Sequence, residues 1–323
     1  MISRVVAQML LAVTALRIVP IDAANLEWKL GIPITPTVLA APLFSLTSVP
    51  TLPQAGNRIL PPKKVDLSSY GVVTDAKSAI VIDPTSGATL FSKNADDVRS
   101  IGSITKLMTA LVFLDAQPDL YSWVKIEDDD YIGGGRVNLN FDDGILLKDV
   151  LGASIVGSDN TATKALSRLS GLSSEDFILA MNAKAQALGM FSSSFVEVSG
   201  IESGNVSTAR DLQLLLAEAK KSDWLKTFMT TKRLPISQAS GLAITVESTD
   251  ALFDSLLNSG DYRISGGKTG YIPEAGYCFV TTIVHDGDEV FVAVLGASSK
   301  EDRFADAKAL AIWAFSTFTW PQL

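Results

Sequence analysis

The segment GYCFVTTIVHDGDEVFVAVLGAS, residues 276–298, constrains the fold more than any other part of the chain. Runs of β-branched and aromatic residues flank Asp286-Gly287. Such runs fit a pleated sheet, and Asp-Gly suits the two-residue turn that joins antiparallel strands. The segment predicts a long hairpin and hence an antiparallel sheet. Near the other end, SAIVIDPTSGATLFSK (78–93) predicts two more strands around a turn with Pro84 and Gly87. The region between is of another kind. SITKLMTALVFLDA predicts a helix beginning near Ser103. The stretch from about Asp149 to Lys221 is mostly helical in pattern, through DVLGASIVGSDNTATKALSRL, EDFILAMNAKAQALGM and TARDLQLLLAEAKK. YRISGGKTG reads as a short strand ending in glycines. A last helix places Phe304, Ala307, Ala311, Phe315 and Phe318 on one face. With strands at both ends and helices in the middle, the fold class is α+β: an antiparallel β-sheet flanked by helices, with an inserted, mostly helical region.

The chain of 323 residues carries 47% hydrophobic and 19% charged side chains, enough for a sizeable core. Three parts are expected. Residues 1–24 have Arg4, a short apolar run and small residues at Ala23 and Ala24, the layout of a secretory signal or N-terminal anchor. Residues 25–70 hold seven of the thirteen prolines and read as an extended linker. Residues 71–320 are expected to form one domain. The net charge of −8, with no basic block, argues against nucleic acid as a partner. The single cysteine, Cys278, and single histidine, His285, leave too few ligands for a zinc site of Cys and His. Neither a metal nor another cofactor is expected. His285 sits at the hairpin turn, so a hydrolase built on this chain would use a base other than histidine. Cys278 reads as a core residue, Arg136 as a solvated loop residue and EDDD (127–130) as a solvated acidic loop.

Three serine-x-x-lysine pairs occur: Ser103 with Lys106, Ser122 with Lys125, and Ser265 with Lys268. Only Ser103 opens a strongly apolar helix. There, side chains three apart share a face, and the helix N-terminus favours an alkoxide beside a neutral amine. An amine whose proton affinity is lowered by burial can serve as base. A Ser cap followed by a solvated lysine would explain the same string without chemistry. Two further strings bear on the choice. SDN (Ser158 to Asn160) lies at the edge of a helical stretch, and KTG (Lys268 to Gly270) precedes the late hairpin. S-x-x-K, S-D-N and K-T-G in this order accompany one another in class A β-lactamases and penicillin-binding proteins.

From about Ala76 to Phe318 the chain resembles the serine-type D-alanyl-D-alanine carboxypeptidases, the low-molecular-mass penicillin-binding proteins. SITKLMTALV, MNAKAQALGM, SGIESGNVSTARDL, GGKTGYIPEAGYCFV and EDRFADAKAL carry the likeness in order. The resemblance implies a β-lactamase/transpeptidase-like fold and an acyl-enzyme mechanism on peptidoglycan stem peptides, with β-lactam antibiotics as covalent inhibitors. It implies Ser103 as nucleophile, Lys106 as its base, Ser158 as the relay of a proton toward the leaving amine with Lys268 holding its electrostatics, and Asn160 as the group that orients Lys106 and the substrate amide. It further implies substrate contacts at Thr269, Gly270, Tyr271 and Arg303, with Gly270 letting the substrate backbone lie close. An extracytoplasmic location follows from such a substrate, with membrane association through the N-terminus an open possibility. The middle string departs from the family's frequent SGN. The alternative to terminal D-alanine removal is endopeptidase cleavage of cross-links. A dedicated β-lactamase or a non-catalytic penicillin-binding sensor stands behind both. No E-x-x-L-N string lies between Asn160 and Lys268; the nearest match is DSLLN at 254–258.

Overall fold

The computed structural model describes residues 59–133, 139–141 and 143–321. Five strands form the main sheet: β1 (Ser78–Ile82), β2 (Thr89–Lys93), β3 (Tyr262–Ile272), β4 (Gly276–His285) and β5 (Asp288–Ala297). Their spatial order is β3-β4-β5-β1-β2, and every neighbouring pair is antiparallel. The hairpin turn between β4 and β5 has positive φ at both Asp286 (51°) and Gly287 (94°). That geometry matches the twist of the flanking strands and explains why Asp-Gly occupies it.

The helices are α1 (Thr105–Asp115), α2 (Leu147–Val156), α3 (Asn160–Leu169), α4 (Ser174–Ala187), α5 (Asp211–Ala219), α6 (Asp223–Met229) and α7 (Lys300–Thr317). All but α7 lie between β2 and β3 in the chain, as the α+β reading requires. The sheet is buried on both faces, which is why its central strands are apolar throughout rather than alternating. One face, with Val81, Phe279, Ile283, Val292 and Val294, packs with Phe304, Ala307, Leu310 and Ala311 of α7. The other, with Ile80, Val280, Phe291 and Ala293, joins the core of the helical insert, including Leu107, Met108 and Leu111 of α1. Each fully buried side chain of this kind contributes about 1.5–3 kcal/mol.

Several local expectations are corrected. The strand read as short and ending in glycines runs eleven residues, through Gly266, Gly267 and Gly270, with a register shift between Ile264 and Gly266. Backbone pairing with β4 carries it across positions that have no side chain to pack. Phe318 leaves the last helix: it is extended and pairs with Lys64 in a two-residue ladder of Lys63–Lys64 and Phe318–Thr319. That ladder also ties part of the stretch expected as linker to the domain. EDDD is not simply a solvated loop. Asp130 is buried and receives two hydrogen bonds from Arg168, at 2.8 and 2.7 Å. The expected signal segment, most of the linker and Arg136 lie outside the described residues. Among the described residues no helix is long and apolar enough to cross a membrane.

Candidate active site

Ser103 does not cap a helix. It lies within a 3-10 turn, Gly102–Ile104, that leads into α1, and neither this turn nor α1 has a side-chain cap. Its hydroxyl instead faces Lys106 Nζ at 2.9 Å. Lys106 is fully buried. Its Nζ also donates to Asn160 Oδ1 (2.7 Å) and to the carbonyl of Ser199 (2.5 Å). Burial pushes the Lys106 ammonium down to about 7, against the opposing pull of Glu197 and Asp159. This arrangement fixes the direction of the lone pair once the amine is neutral. Two carbonyl oxygens can only accept, so they take the two N–H groups, and the lone pair is left for the Ser103 hydroxyl.

The second half of the site is built on the turn between α2 and α3 and on β3. Asp159 caps α3 by accepting from Ala162 N (3.0 Å), and Asn160 is the first residue of that helix. Ser158 just before it has φ of 58°, a left-handed conformation that a residue with a Cβ adopts at a cost. Its Oγ accepts from Lys268 Nζ at 2.8 Å, and Nζ also donates to Thr269 O at 3.1 Å. Burial, then the nearby charges of Lys106 and Arg303, hold the Lys268 ammonium well below its ordinary value, while Asp250 opposes the shift.

A cleft of about 510 Å3 runs between these halves. Ser103, Ser158, Asn160, Thr269, Gly270, Tyr271 and Arg303 line it, with the two lysines bonded to the serines behind its wall. The structure thus brings together all nine residues singled out in the sequence. The other serine-lysine pairs separate. Ser122 donates to Asp119 O, and Ser265 joins Lys220 and Thr282.

Close backbone approach explains three glycines. A Cβ on Gly200 (φ +85°) would lie 2.0 Å from Gly102 O. One on Gly102 (φ +55°) would meet Tyr271 N at 2.6 Å. One on Gly270 would meet Ile101 O at 2.1 Å, so Gly270 makes room for the chain leading to Ser103 rather than only for a ligand. Arg303, at the start of α7, donates from Nη1 to Gly270 O (3.1 Å) and lies over the rings of Phe304 and Tyr277. Thr269 shares a 2.6 Å hydrogen bond with Thr249.

Sequence reading missed Glu197, Ser199, Thr249 and Asp250. Glu197 accepts from Ser199 N (2.6 Å), Ser199 Oγ (2.7 Å) and Asn205 Nδ2 (2.8 Å), and so shapes the turn whose carbonyl holds Lys106. The only available signal was an acidic residue among apolar ones before SGI. His285 ends β4 and stacks on Tyr262 at 3.9 Å, and it does not line the cleft. Burial drives the Cys278 thiol up to about 11, the state of an inert core residue. Among the described residues no group of three or more His, Cys, Asp or Glu could hold a metal ion.

Comparison with known proteins gives three kinds of likeness. The profile of the peptidase S11 family, D-alanyl-D-alanine carboxypeptidase, matches residues 67–299. A D-alanyl-D-alanine endopeptidase of Pseudomonas aeruginosa is 34% identical, over 84% of this chain and 86% of its own. A D-alanyl-D-alanine carboxypeptidase of a Streptomyces species is 32% identical, over 71% and 84%. The crystal structure of the Streptomyces K15 DD-transpeptidase superposes with a TM-score of 0.71 at 30% identity, covering 77% of this chain and 100% of that one.

Proposed function

The chain belongs to the D-alanyl-D-alanine carboxypeptidase family of serine peptidases, S11, and from this we propose that it removes the terminal D-alanine from peptidoglycan stem peptides through an ester on Ser103. The observation that carries the reading is the hydrogen bond between Ser103 Oγ and a buried amine whose two N–H groups are held by carbonyls. Neutral Lys106 takes the proton as Ser103 Oγ attacks the carbonyl between the two D-alanines. The tetrahedral oxyanion sits between the backbone N–H groups of Ser103 and Tyr271, which the glycine packing at Gly102 brings close. One such donor is worth about 3 kcal/mol in the transition state. Ser158, bonded to Lys268, relays to the leaving amine the proton that Lys106 took, and the C–N bond breaks. Water then hydrolyses the ester and frees Ser103. Asn160 holds Lys106, and Thr269 with Arg303 receives the terminal carboxylate. Penicillins, whose ring carbonyl occupies the same place, acylate Ser103.

A substrate of this class puts the protein on the cell-wall side of the membrane. The endopeptidase reading has its own support. The relative from Pseudomonas aeruginosa carries that name, and Lys232, Glu247 and Asp254 add polar groups to the lining of the same cleft.

The test is mass spectrometry after incubation with a labelled penicillin, alongside D-alanine release from a pentapeptide. One adduct on Ser103, and loss of both signals in Ser103→Ala, is the expected result. D-alanine release that survives Ser103→Ala would overturn the mechanism. A cross-linked dimer assayed beside the pentapeptide separates the two bond choices.

A further inference from the structure

The wall that receives the substrate carboxylate in the serine-ester reading is not built by β3 alone. Thr269 of β3 is 4% exposed, and its hydroxyl meets that of Thr249 at 2.6 Å. Thr249 lies between the strand Ala243–Glu247 and the 3-10 turn Ala251–Asp254. Its backbone N–H donates at 3.2 Å to the carbonyl of Val156, the last residue of α2. Ser158 follows two residues later. Thr249 is thus tied to both halves of the site, by its backbone to the turn that carries Ser158 and by its side chain to β3. Both threonines line the cleft.

Each hydroxyl carries one proton and two lone pairs. The bond between the two threonines uses one proton of the pair. Among the described residues neither hydroxyl has another hydrogen-bond partner, so the second proton stands at the cleft wall without an acceptor. Arg303, bonded to the carbonyl of Gly270 one residue along β3, is 5% exposed, and its Nε is buried with no partner. A guanidinium and a spare hydroxyl donor on one wall call for an acceptor. A carboxylate, with two oxygens that only accept, matches them. The acids nearby do not fill that place. Asp250 keeps Oδ1 on Leu252 N at 2.8 Å and buries Oδ2 against Gly267. Glu247 pairs with Arg233 at 3.0 Å, and Asp254 pairs with Lys232.

We propose that Thr249 is a specificity-determining residue of the acyl-transfer site: Thr249 and Thr269 give up the bond between them, and each donates its hydroxyl proton to the terminal carboxylate of the substrate, beside Arg303. This rests on the serine-ester reading above and extends it. No covalent bond changes in the exchange. Only the O–H bonds turn, so the heavy atoms stay where the tie to Val156 and the pairing of Thr269 with Phe279 hold them. One bond between neutral groups is traded for two to a charged acceptor, and each of those is about twice as strong. A neutral chain end gains much less from the same trade. The threonine pair therefore favours a free carboxylate over an amidated end.

The experiment compares kcat/KM for two pentapeptides, one ending in a free carboxylate and the other in a carboxamide. Thr249→Val keeps the shape of the side chain and removes the hydroxyl. The rate on the free acid should fall about tenfold, and the rate on the carboxamide by no more than about twofold. Thr249→Ser should bring the preference back to within about threefold of the parent. A loss shared equally by the two peptides, or a preference that does not change, would sink the idea, because a merely structural residue gives those results. Should Thr249→Val fail to fold, Thr249→Ala removes the hydroxyl without crowding its neighbours and is read the same way. Ser103→Ala in parallel tells the two failures apart. If it is inert on both peptides while Thr249→Val leaves the preference unmoved, only the role of Thr249 is lost. If it still releases D-alanine, the serine-ester reading itself fails.

Discussion

The two lysines of the cleft are held in different ways. Lys106 stands on a helix, with all three Nζ directions committed and acids on its own side. Lys268 stands on a sheet strand, with two bonds and a single carboxylate acting from a distance. Burial lowers both, but their surroundings divide the work. The helical side offers a buried amine that is half neutral near pH 7, as the proposed base requires. The sheet side offers an amine bonded to a hydroxyl, its ammonium form disfavoured by burial and by two neighbouring cations. The difference teaches that identical side chains are set apart by what accepts their hydrogens and which charges face them.

Deleting each lysine is the hardest trial of that contrast. Lys106→Ala removes the proposed base and should slow acylation by penicillin about 10³–10⁴-fold. Lys268→Ala leaves the base in place and should cost about 10²–10³-fold, at the lower end of general acid–base effects. Stopped-flow acylation rates check both. Equal losses would mean the two sides are not specialised.

The next effect is on the backbone between them. Gly200→Ala demands a Cβ 2.0 Å from Gly102 O at a left-handed φ. It should cost about 3 kcal/mol or more of stability. Gly87→Ala, also at positive φ but with nothing near its Cβ, should cost about 1 kcal/mol. Urea midpoints compare them.

The smallest effect is a displacement in pH. In the proposed mechanism neutral Lys106 is the active form, so the acid limb of the rate should follow its value of about 7. Glu197 holds that value up, and Glu197→Gln should move the acid limb to lower pH by about half a unit to one unit. An acid limb that stayed in place in Glu197→Gln would show that this carboxylate does not act on Lys106.

What the sequence made legible follows the same line. The hairpin, the helical insert and the strings around Ser103, Ser158 and Lys268 each carry local patterns of period, turn chemistry or spacing. Their convergence on one cleft was readable from the ordered set. Thr249 and Glu197 were not, because their roles depend on residues far away in the chain. Thr249 in STDALF reads only as a turn residue, and no local pattern places it against Thr269 of β3. Gly270 was legible only in part, for a related reason. A glycine in a strand announces a close approach, but not that the approaching group is the carbonyl of Ile101. Phe318 fitted the helical face by spacing, yet the chance to pair with Lys64 drew it into an extended form.

The bonds that define the cleft join residues 54, 93 and 110 positions apart in the chain. Loops of that length close late, because their ordering entropy must be met before any contact rewards it. The glycine contacts at 102, 200 and 270 tolerate no slack once closed. A helical insert that has collapsed without the late strands therefore has a serine and no reactivity. Covalent labelling of Ser103 becomes a clock for the last step of folding: refolding followed by penicillin capture should lag behind the recovery of helical circular dichroism.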